Sequence, residues 1–65
     1  MILAYKIREI RESNGMTQEV LSERAGVSRA IISKLENGEE VVTTTETLKK
    51  IALALGCKVS EIFLA

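Results

Sequence analysis

The sequence predicts an all-α fold, a compact bundle of five short helices around one core. Apolar residues recur at intervals of three and four along most of the chain, as one buried face of each helix requires. Each of the four glycines follows such a stretch, at the place where helices commonly end: Gly15, Gly26, Gly38 and Gly56. The 65 residues have the length of one small domain, so we expect residues 1–65 to form a single unit.

The first helix is predicted over residues 3–13 by a division between apolar and charged positions. Leu3, Ile7 and Ile10 lie on one face of this helix. The opposite face carries the charged side chains Lys6, Arg8, Glu9 and Glu12. A helix of this kind packs its apolar face on the core and leaves the charged face in water.

Two further helices are predicted at residues 18–25 and 29–37, joined by a tight turn at Gly26. Ser22, Gly26 and Ile32 have the spacing of a helix-turn-helix. The small residue allows close approach of the second helix, the glycine adopts a positive φ without steric cost, and the isoleucine fills the angle between the helices. The positions that we expect to be buried here are Leu21, Ala25, Ile32 and Leu35.

The segment after these helices has two interpretations. Two valines and three threonines within residues 40–45 favour an extended backbone. Because the sequence offers no second strand to pair with this segment, we predict a loop. Either Thr43 or Thr44 caps the following helix, and Thr43 would place Glu46 at the third helical position of a capping box.

The fourth helix is predicted at residues 45–55, and a short turn or two of helix at residues 59–64. The apolar face of the fourth helix has the spacing i, i+3, i+4, i+7. Its members are Leu48, Ile51, Ala52 and Leu55. In the final segment Val59, Ile62 and Phe63 are apolar.

The composition offers little material for catalysis or metal binding. The chain has no histidine and no aspartate, so the usual general base is missing, and one cysteine without histidine cannot build a zinc site. We therefore expect no enzyme, no cofactor and no metal. Cys57 is interpreted as a small core residue rather than a redox group, and a single unpaired thiol fits the reducing cytoplasm.

Charge is evenly balanced overall but unevenly distributed. Nine Lys and Arg residues match nine Glu residues, which is not the basic footprint typical of a nucleic-acid-binding protein. Within residues 24–34, however, Arg24, Arg29 and Lys34 occur without any acid, whereas Glu39, Glu40 and Glu46 cluster later in the chain. A balanced total does not exclude a local positive face.

The outward face of the third helix is predicted to read DNA bases. With Ile32 and Leu35 turned inward, the outward positions of this helix are Arg29, Ala30, Ser33 and Lys34. An arginine can bond O6 and N7 of guanine together, an alanine can touch a thymine methyl, and the other two side chains can meet base edges or phosphates. The alternative is that all four only form a solvated helix face.

Phosphate contacts are predicted at the starts of the second and third helices. Free backbone N–H groups and the positive end of the helix dipole attract an anion there. Thr17 and Gln18 lie at the first of these ends, and Ser28 lies at the second.

Residues 17–38, TQEVLSERAGVSRAIISKLENG, resemble the lambda-repressor-like (Cro/cI, XRE-type) family of helix-turn-helix DNA-binding domains. The resemblance assigns base contact to the same four positions of the third helix. It also implies that Gln18 and Asn37 bind backbone phosphates, and that Glu36 pairs with Arg11 on the first helix. Such a pair would have a structural role, because it would tie the third helix to the first. The alternative is two independent exposed charges, which would contribute little to stability.

The sequence departs from this family pattern at two places. The loop after Gly38 is often basic in the family, but here it reads Glu39-Glu40-Val41-Val42, which weakens the expected DNA contact. Ile31 stands where the family usually has a small polar residue. Its side chain either packs toward the two valines of the loop or lies against a sugar or a thymine methyl.

These features predict a sequence-specific regulator of transcription, a small prokaryotic or phage repressor in the cytoplasm that binds double-stranded operator DNA as a homodimer. The dimer interface is expected at the apolar side chains of the final segment, Ile62, Phe63 and Leu64. The alternative is a protein-interaction module on the same scaffold, such as an antitoxin-like partner, which the acidic loop and zero net charge suggest. Only DNA binding predicts a steep loss of affinity with salt.

Overall fold

A computed structural model describes residues 5–39 and 43–63 of the chain. Four α-helices lie within these residues: α1 (Ile7–Ser13), α2 (Gln18–Ala25), α3 (Arg29–Asn37) and α4 (Thr45–Leu55). A 3-10 helix, Val59–Ile62, follows them. In this part of the chain the only strand-like pairing is one isolated antiparallel bridge between Tyr5 and Phe63. The all-α class is confirmed, and the fifth predicted helix is a short 3-10 helix.

The apolar faces that were predicted from spacing form the core. Ile7, Leu21, Ile32, Ile51 and Ile62 have no exposed surface. The other buried apolar side chains are Ala25, Val27, Leu35, Leu48, Ala52 and Leu55. Burying each large side chain contributes about 1.5–3 kcal/mol, so the core holds α2, α3 and α4 together.

The predicted start of the first helix is wrong within the described residues. α1 begins at Ile7, whereas Tyr5 and Lys6 are not helical. The backbone N–H of Lys6 donates to the carbonyl of Ile62 at 2.7 Å, and the rings of Tyr5 and Phe63 lie 5.4 Å apart. At Tyr5 and Lys6 this pairing with residues 62 and 63 takes the place of helical structure. Leu3 lies outside the described residues.

Threonine and serine side chains begin three of the helices. The Thr17 hydroxyl accepts from the N–H of Val20 at 3.0 Å, and the Ser28 hydroxyl accepts from the N–H of Ala30 at 3.1 Å. Of the two threonines left open for α4, Thr44 is the cap, since it accepts from Thr47 N–H at 3.1 Å. The capping box that would have joined Thr43 and Glu46 is therefore not formed. Residues 40–42 of the predicted loop lie outside the described residues.

The turn between α2 and α3 has the predicted conformation and one unforeseen hydrogen bond. Gly26 has a φ of 68°, in the left-handed region that favours glycine. Its N–H donates to the Ser22 carbonyl at 2.9 Å. The Ser22 hydroxyl also donates to the Val27 carbonyl at 2.6 Å. The small side chain of Ser22 allows α2 and α3 to approach closely, as predicted. Its hydroxyl also links the end of α2 to the residue that follows the turn.

The prediction of Ile62 as a dimer-interface residue is wrong. Its side chain is fully buried within the chain's own core and could reach a partner only if that core opened. Phe63 is 42% exposed, and Leu64 lies outside the described residues. Cys57 is half-buried against the core, where burial first and the negative charge of Glu61 second raise the pKa of its thiol.

Within residues 5–39 and 43–63, no helix is both long enough and apolar enough to span a bilayer.

Candidate nucleic-acid interface

The outer surface of α3 presents the side chains that the sequence assigned to base contact. Arg29, Ala30 and Lys34 are exposed, and Ser33 is half-buried. None of these side chains hydrogen-bonds or forms an ion pair with another described residue. Because the opposite side of the helix is anchored in the core by Ile32, the exposed side is held rigidly while its side chains stay available.

The predicted phosphate contacts at the helix starts are also at the surface. Thr17 and Ser28 are exposed, and Gln18 is half-buried. The two hydroxyls satisfy one N–H each, at Val20 and Ala30, so other N–H groups of the first turn have no partner inside the helix. Such groups can bind an anion.

A buried carboxylate at the other end of α3 joins three helices. The Glu36 side chain has no exposed surface. Its oxygens accept from Arg11 Nε at 2.7 Å and Nη2 at 3.1 Å, from Gln18 Nε2 at 2.9 Å and from Arg8 Nε at 3.4 Å. We call these four residues the Glu36 cluster. The pairing of Glu36 with Arg11 that the family resemblance implied is confirmed.

Charge pairing keeps this cluster ionised. Burial alone would raise the pKa of the Glu36 carboxyl, but hydrogen bonds from Arg11 and Gln18, with the charge of Arg11, outweigh burial and lower it. The hydrogen bond with Glu36 raises the pKa of the Arg11 guanidinium despite its burial. Arg11 also donates through Nη1 to the Met16 carbonyl at 2.8 Å, which ties the pair to the α1–α2 connection.

The Glu36 cluster extends to Asn37, the last residue of α3. Arg8 Nη2 donates to the Asn37 Oδ1 at 3.1 Å, and Asn37 Nδ2 reaches the Glu39 carboxylate at 3.5 Å. Gln18 and Asn37, two predicted phosphate contacts on different helices, are therefore brought together through Glu36 and Arg8. Sequence reasoning did not identify Arg8 as part of a site, because an exposed arginine on a charged helix face carries no local signal.

The sequence left two interpretations for the side chain of Ile31 on α3. Its side chain is half-buried and packs against the core, which agrees with the packing interpretation rather than with contact to a sugar or a thymine methyl. The two valines of the loop toward which it was expected to pack lie outside the described residues.

Comparison with known proteins assigns the chain to a family. The family model HTH_3, described as Helix-turn-helix, matches residues 7–62. The chain therefore belongs to this lambda-repressor-like (XRE-type) family of helix-turn-helix transcription regulators.

Several relatives are regulators of bacterial transcription. The chain is 42% identical over 50 residues to the HTH-type transcriptional repressor RghR of Bacillus subtilis, covering 77% of this chain and 37% of that protein. It is 36% identical over 64 residues to the competence pilus inhibition repressor of Acinetobacter baylyi, covering 98% and 57% respectively. The chain thus spans between about a third and just over half of these two relatives.

Solved structures share the fold. The restriction-modification controller protein C.AhdI of Aeromonas hydrophila matches with a TM-score of 0.79 and 30% identity, covering 86% of this chain and 83% of that one. The clp gene regulator ClgR of Corynebacterium glutamicum matches with a TM-score of 0.73 and 35% identity, covering 83% and 56%. The first of these proteins is a restriction-modification controller and the second a regulator of clp genes.

Proposed function

We propose that this chain is a sequence-specific double-stranded DNA-binding repressor of transcription that acts in a prokaryotic cytoplasm. The observation that carries the proposal is the outer face of α3, where Arg29 and Lys34 are exposed and make no side-chain bond to another described residue. Two relatives carry the word repressor in their names, which supports repression over activation.

Base reading is assigned to the first turns of α3. Arg29 is the first residue of the helix, and its guanidinium has the two-pronged geometry that matches O6 and N7 of guanine. Ala30 can contact a thymine methyl, and Ser33 and Lys34 lie one turn further along the same surface. A major groove admits an α-helix of this width.

Phosphate contacts would fix the register of α3 in the groove. Thr17 and Gln18 at the start of α2, Ser28 at the start of α3 and Asn37 at its end flank the reading surface on two sides. Contacts of this kind position a protein on the duplex without carrying sequence information.

We propose that the protein binds its operator as a homodimer, with Phe63 and Leu64 in the interface. Phe63 is the described side chain that supports this, because it is apolar and 42% exposed, although its backbone is paired with Tyr5. An isologous contact would place two α3 helices on half-sites about one helical turn apart.

The dimer proposal is tested by sedimentation equilibrium at micromolar protein, with and without operator. Phe63→Ser should shift the protein toward monomer and weaken operator binding. Leu53→Ser is the matched control, because Leu53 is an exposed apolar residue on α4 with no assigned role. A wild-type monomer that stays monomeric with operator would refute the dimer.

DNA binding itself is tested by selecting bound sequences from random duplexes and then titrating the best one against a scrambled duplex at rising salt. We expect a defined consensus and a linear fall of log affinity with log salt. The exposed Glu39 beside Asn37 favours the alternative, a protein-interaction module. Salt-insensitive or undetectable DNA binding would support that alternative.

A further inference from the structure

We infer that Arg8 is a phosphate-contact residue of the DNA complex and that the buried carboxylate of Glu36 is its positioning residue. The inference rests on the proposed function and adds to it a residue on α1, a helix with no part in the predicted interface. It starts from the Glu36 cluster, whose four side chains come from α1, α2 and α3.

The first step is the balance of charge within the cluster. Among the four side chains of the Glu36 cluster two arginines face one carboxylate, which leaves one positive charge in excess within the cluster; the mostly exposed Glu12 lies 3.9 Å from Arg11 Nη2, outside it. The side chain of Arg11 is only 10% exposed, and Nε, Nη1 and Nη2 all donate to internal acceptors. The side chain of Arg8 is 51% exposed, and its contact with Glu36 is long at 3.4 Å. The excess charge therefore resides at the surface, on Arg8.

The second step is the orientation of the neighbouring amides. An ionised carboxylate can only accept, so Gln18 must turn Nε2 toward Glu36, and that nitrogen keeps a second N–H. Arg8 Nη2 donates to Asn37 Oδ1, so the other end of that amide is a donor too. Arg8, Gln18 and Asn37 thus each carry N–H donors, and hydrogen bonds through Glu36 and Arg8 hold the three side chains together.

The third step is the chemistry of the ligand that suits this arrangement. Three side chains with N–H donors, one of them the exposed guanidinium of Arg8, match an anionic oxygen ligand, and a guanidinium fork is well shaped for phosphate. Asn37 is the last residue of α3, the helix that carries the proposed reading surface, and Gln18 is the first residue of α2. We therefore assign a DNA backbone phosphodiester as the ligand. Glu39, 3.5 Å from Asn37 Nδ2, lies at the rim of this site and opposes it.

Arg8 is tested through the salt dependence of DNA binding between about 50 and 200 mM KCl, using the selected duplex and a scrambled one. Arg8→Gln should make the slope of log affinity against log salt shallower by about 0.9, and weaken both duplexes by the same factor. Arg8→Lys keeps the charge and should keep the slope. Lys50→Gln on α4 removes another exposed positive charge and should leave the slope unchanged.

The outcomes separate this inference from the proposed function. If the wild-type protein shows no salt-dependent binding, the proposed function fails. If the wild-type protein binds steeply but Arg8→Gln keeps its slope, Arg8 has only a structural role and the inference is overturned. Melting of each variant ensures that the folded protein is compared.

The positioning role of Glu36 is tested by a substitution for which positioning and charge alone predict opposite changes in DNA affinity. Glu36→Gln removes a negative charge near the DNA, which by charge alone would strengthen binding. If the carboxylate orients Arg8 and Gln18, the same change should weaken binding to both duplexes. Tighter binding by Glu36→Gln would overturn the positioning role. If that variant does not fold, Glu36→Asp, which keeps the charge but shortens the side chain, should weaken binding, and unchanged affinity would overturn the role.

Discussion

The two ends of α3 are built in opposite ways. At its start, Arg29 and Ala30 are exposed and their side chains make no hydrogen bond to another described residue. At its end, the Glu36 side chain has no exposed surface and accepts from Arg8, Arg11 and Gln18. The difference shows how a short helix can be held firmly and still offer side chains for binding. The hydrogen bonds that fix the helix lie at one end, and the side chains free to contact a ligand lie at the other.

The middle of α3 gives the largest expected effect on stability. Ile32→Ala or Leu35→Ala should each lower the free energy of unfolding by about 2–5 kcal/mol, since both side chains are buried in the core. Chemical denaturation measures this change. Ile31→Ala is the control, because this half-buried neighbour should cost clearly less. Equal losses at positions 31 and 32 would mean that the orientation of the helix is wrong.

Substitution of Glu36, near the end of α3, should lower the free energy of unfolding nearly as much. Glu36→Ala leaves the guanidinium of Arg11 buried without its acceptor, so we expect a loss of about 3 kcal/mol in unfolding free energy. Glu12→Ala is the matched control, since Glu12 also approaches Arg11, at 3.9 Å, but is mostly exposed. A change at position 36 no larger than that at position 12 would contradict the anchoring role.

The exposed end should affect selectivity and leave stability unchanged. Arg29→Ala should reduce the preference for the selected duplex over a scrambled one by about 1–3 kcal/mol, because one bidentate base contact is lost. Its melting temperature should match that of the wild type. Gln18→Ala provides the contrast, since loss of a phosphate contact weakens both duplexes alike. Unchanged preference in Arg29→Ala would refute the assigned reading surface.

A fall in pH should weaken the contacts of Glu36 at the end of α3 before it affects the exposed residues at the start of this helix. The pKa of Glu36 is lower in the folded chain than its ordinary value of 4.5, so its contribution is complete above that value and is lost as pH falls below it. Unfolding free energies measured from pH 6 downward should fall more steeply for the wild type than for Glu36→Gln. Parallel curves for the two proteins would contradict this linkage.

The smallest expected effect on DNA binding is at Glu39, at the rim of the proposed phosphate site. Glu39→Gln removes a negative charge next to Asn37 and should modestly tighten binding to every duplex, mainly at low salt. Glu23→Gln on α2 is the control for loss of one exposed glutamate. If the rim variant binds DNA more weakly, Glu39 supports the site instead of opposing it.

Local signals in the sequence predicted most of this fold. The bounds of α2, α3 and α4 agree with the prediction, because their caps and glycine ends involve residues only a few positions apart. The buried faces were also predictable, since helical spacing alone groups the apolar residues of each helix. The four positions predicted to read DNA follow from that same spacing, and their base contacts remain predictions.

Contacts between distant residues were decided only by the tertiary structure. The start of α1 moves to Ile7 because Lys6 bonds to Ile62 near the other end of the chain, and the same packing buries Ile62 completely. The Glu36 cluster joins residues 18 to 28 positions apart, and only the family resemblance pointed to one of its pairs. Sequence spacing determined which residues share a helix face, whereas packing of one helix on another decided which faces meet.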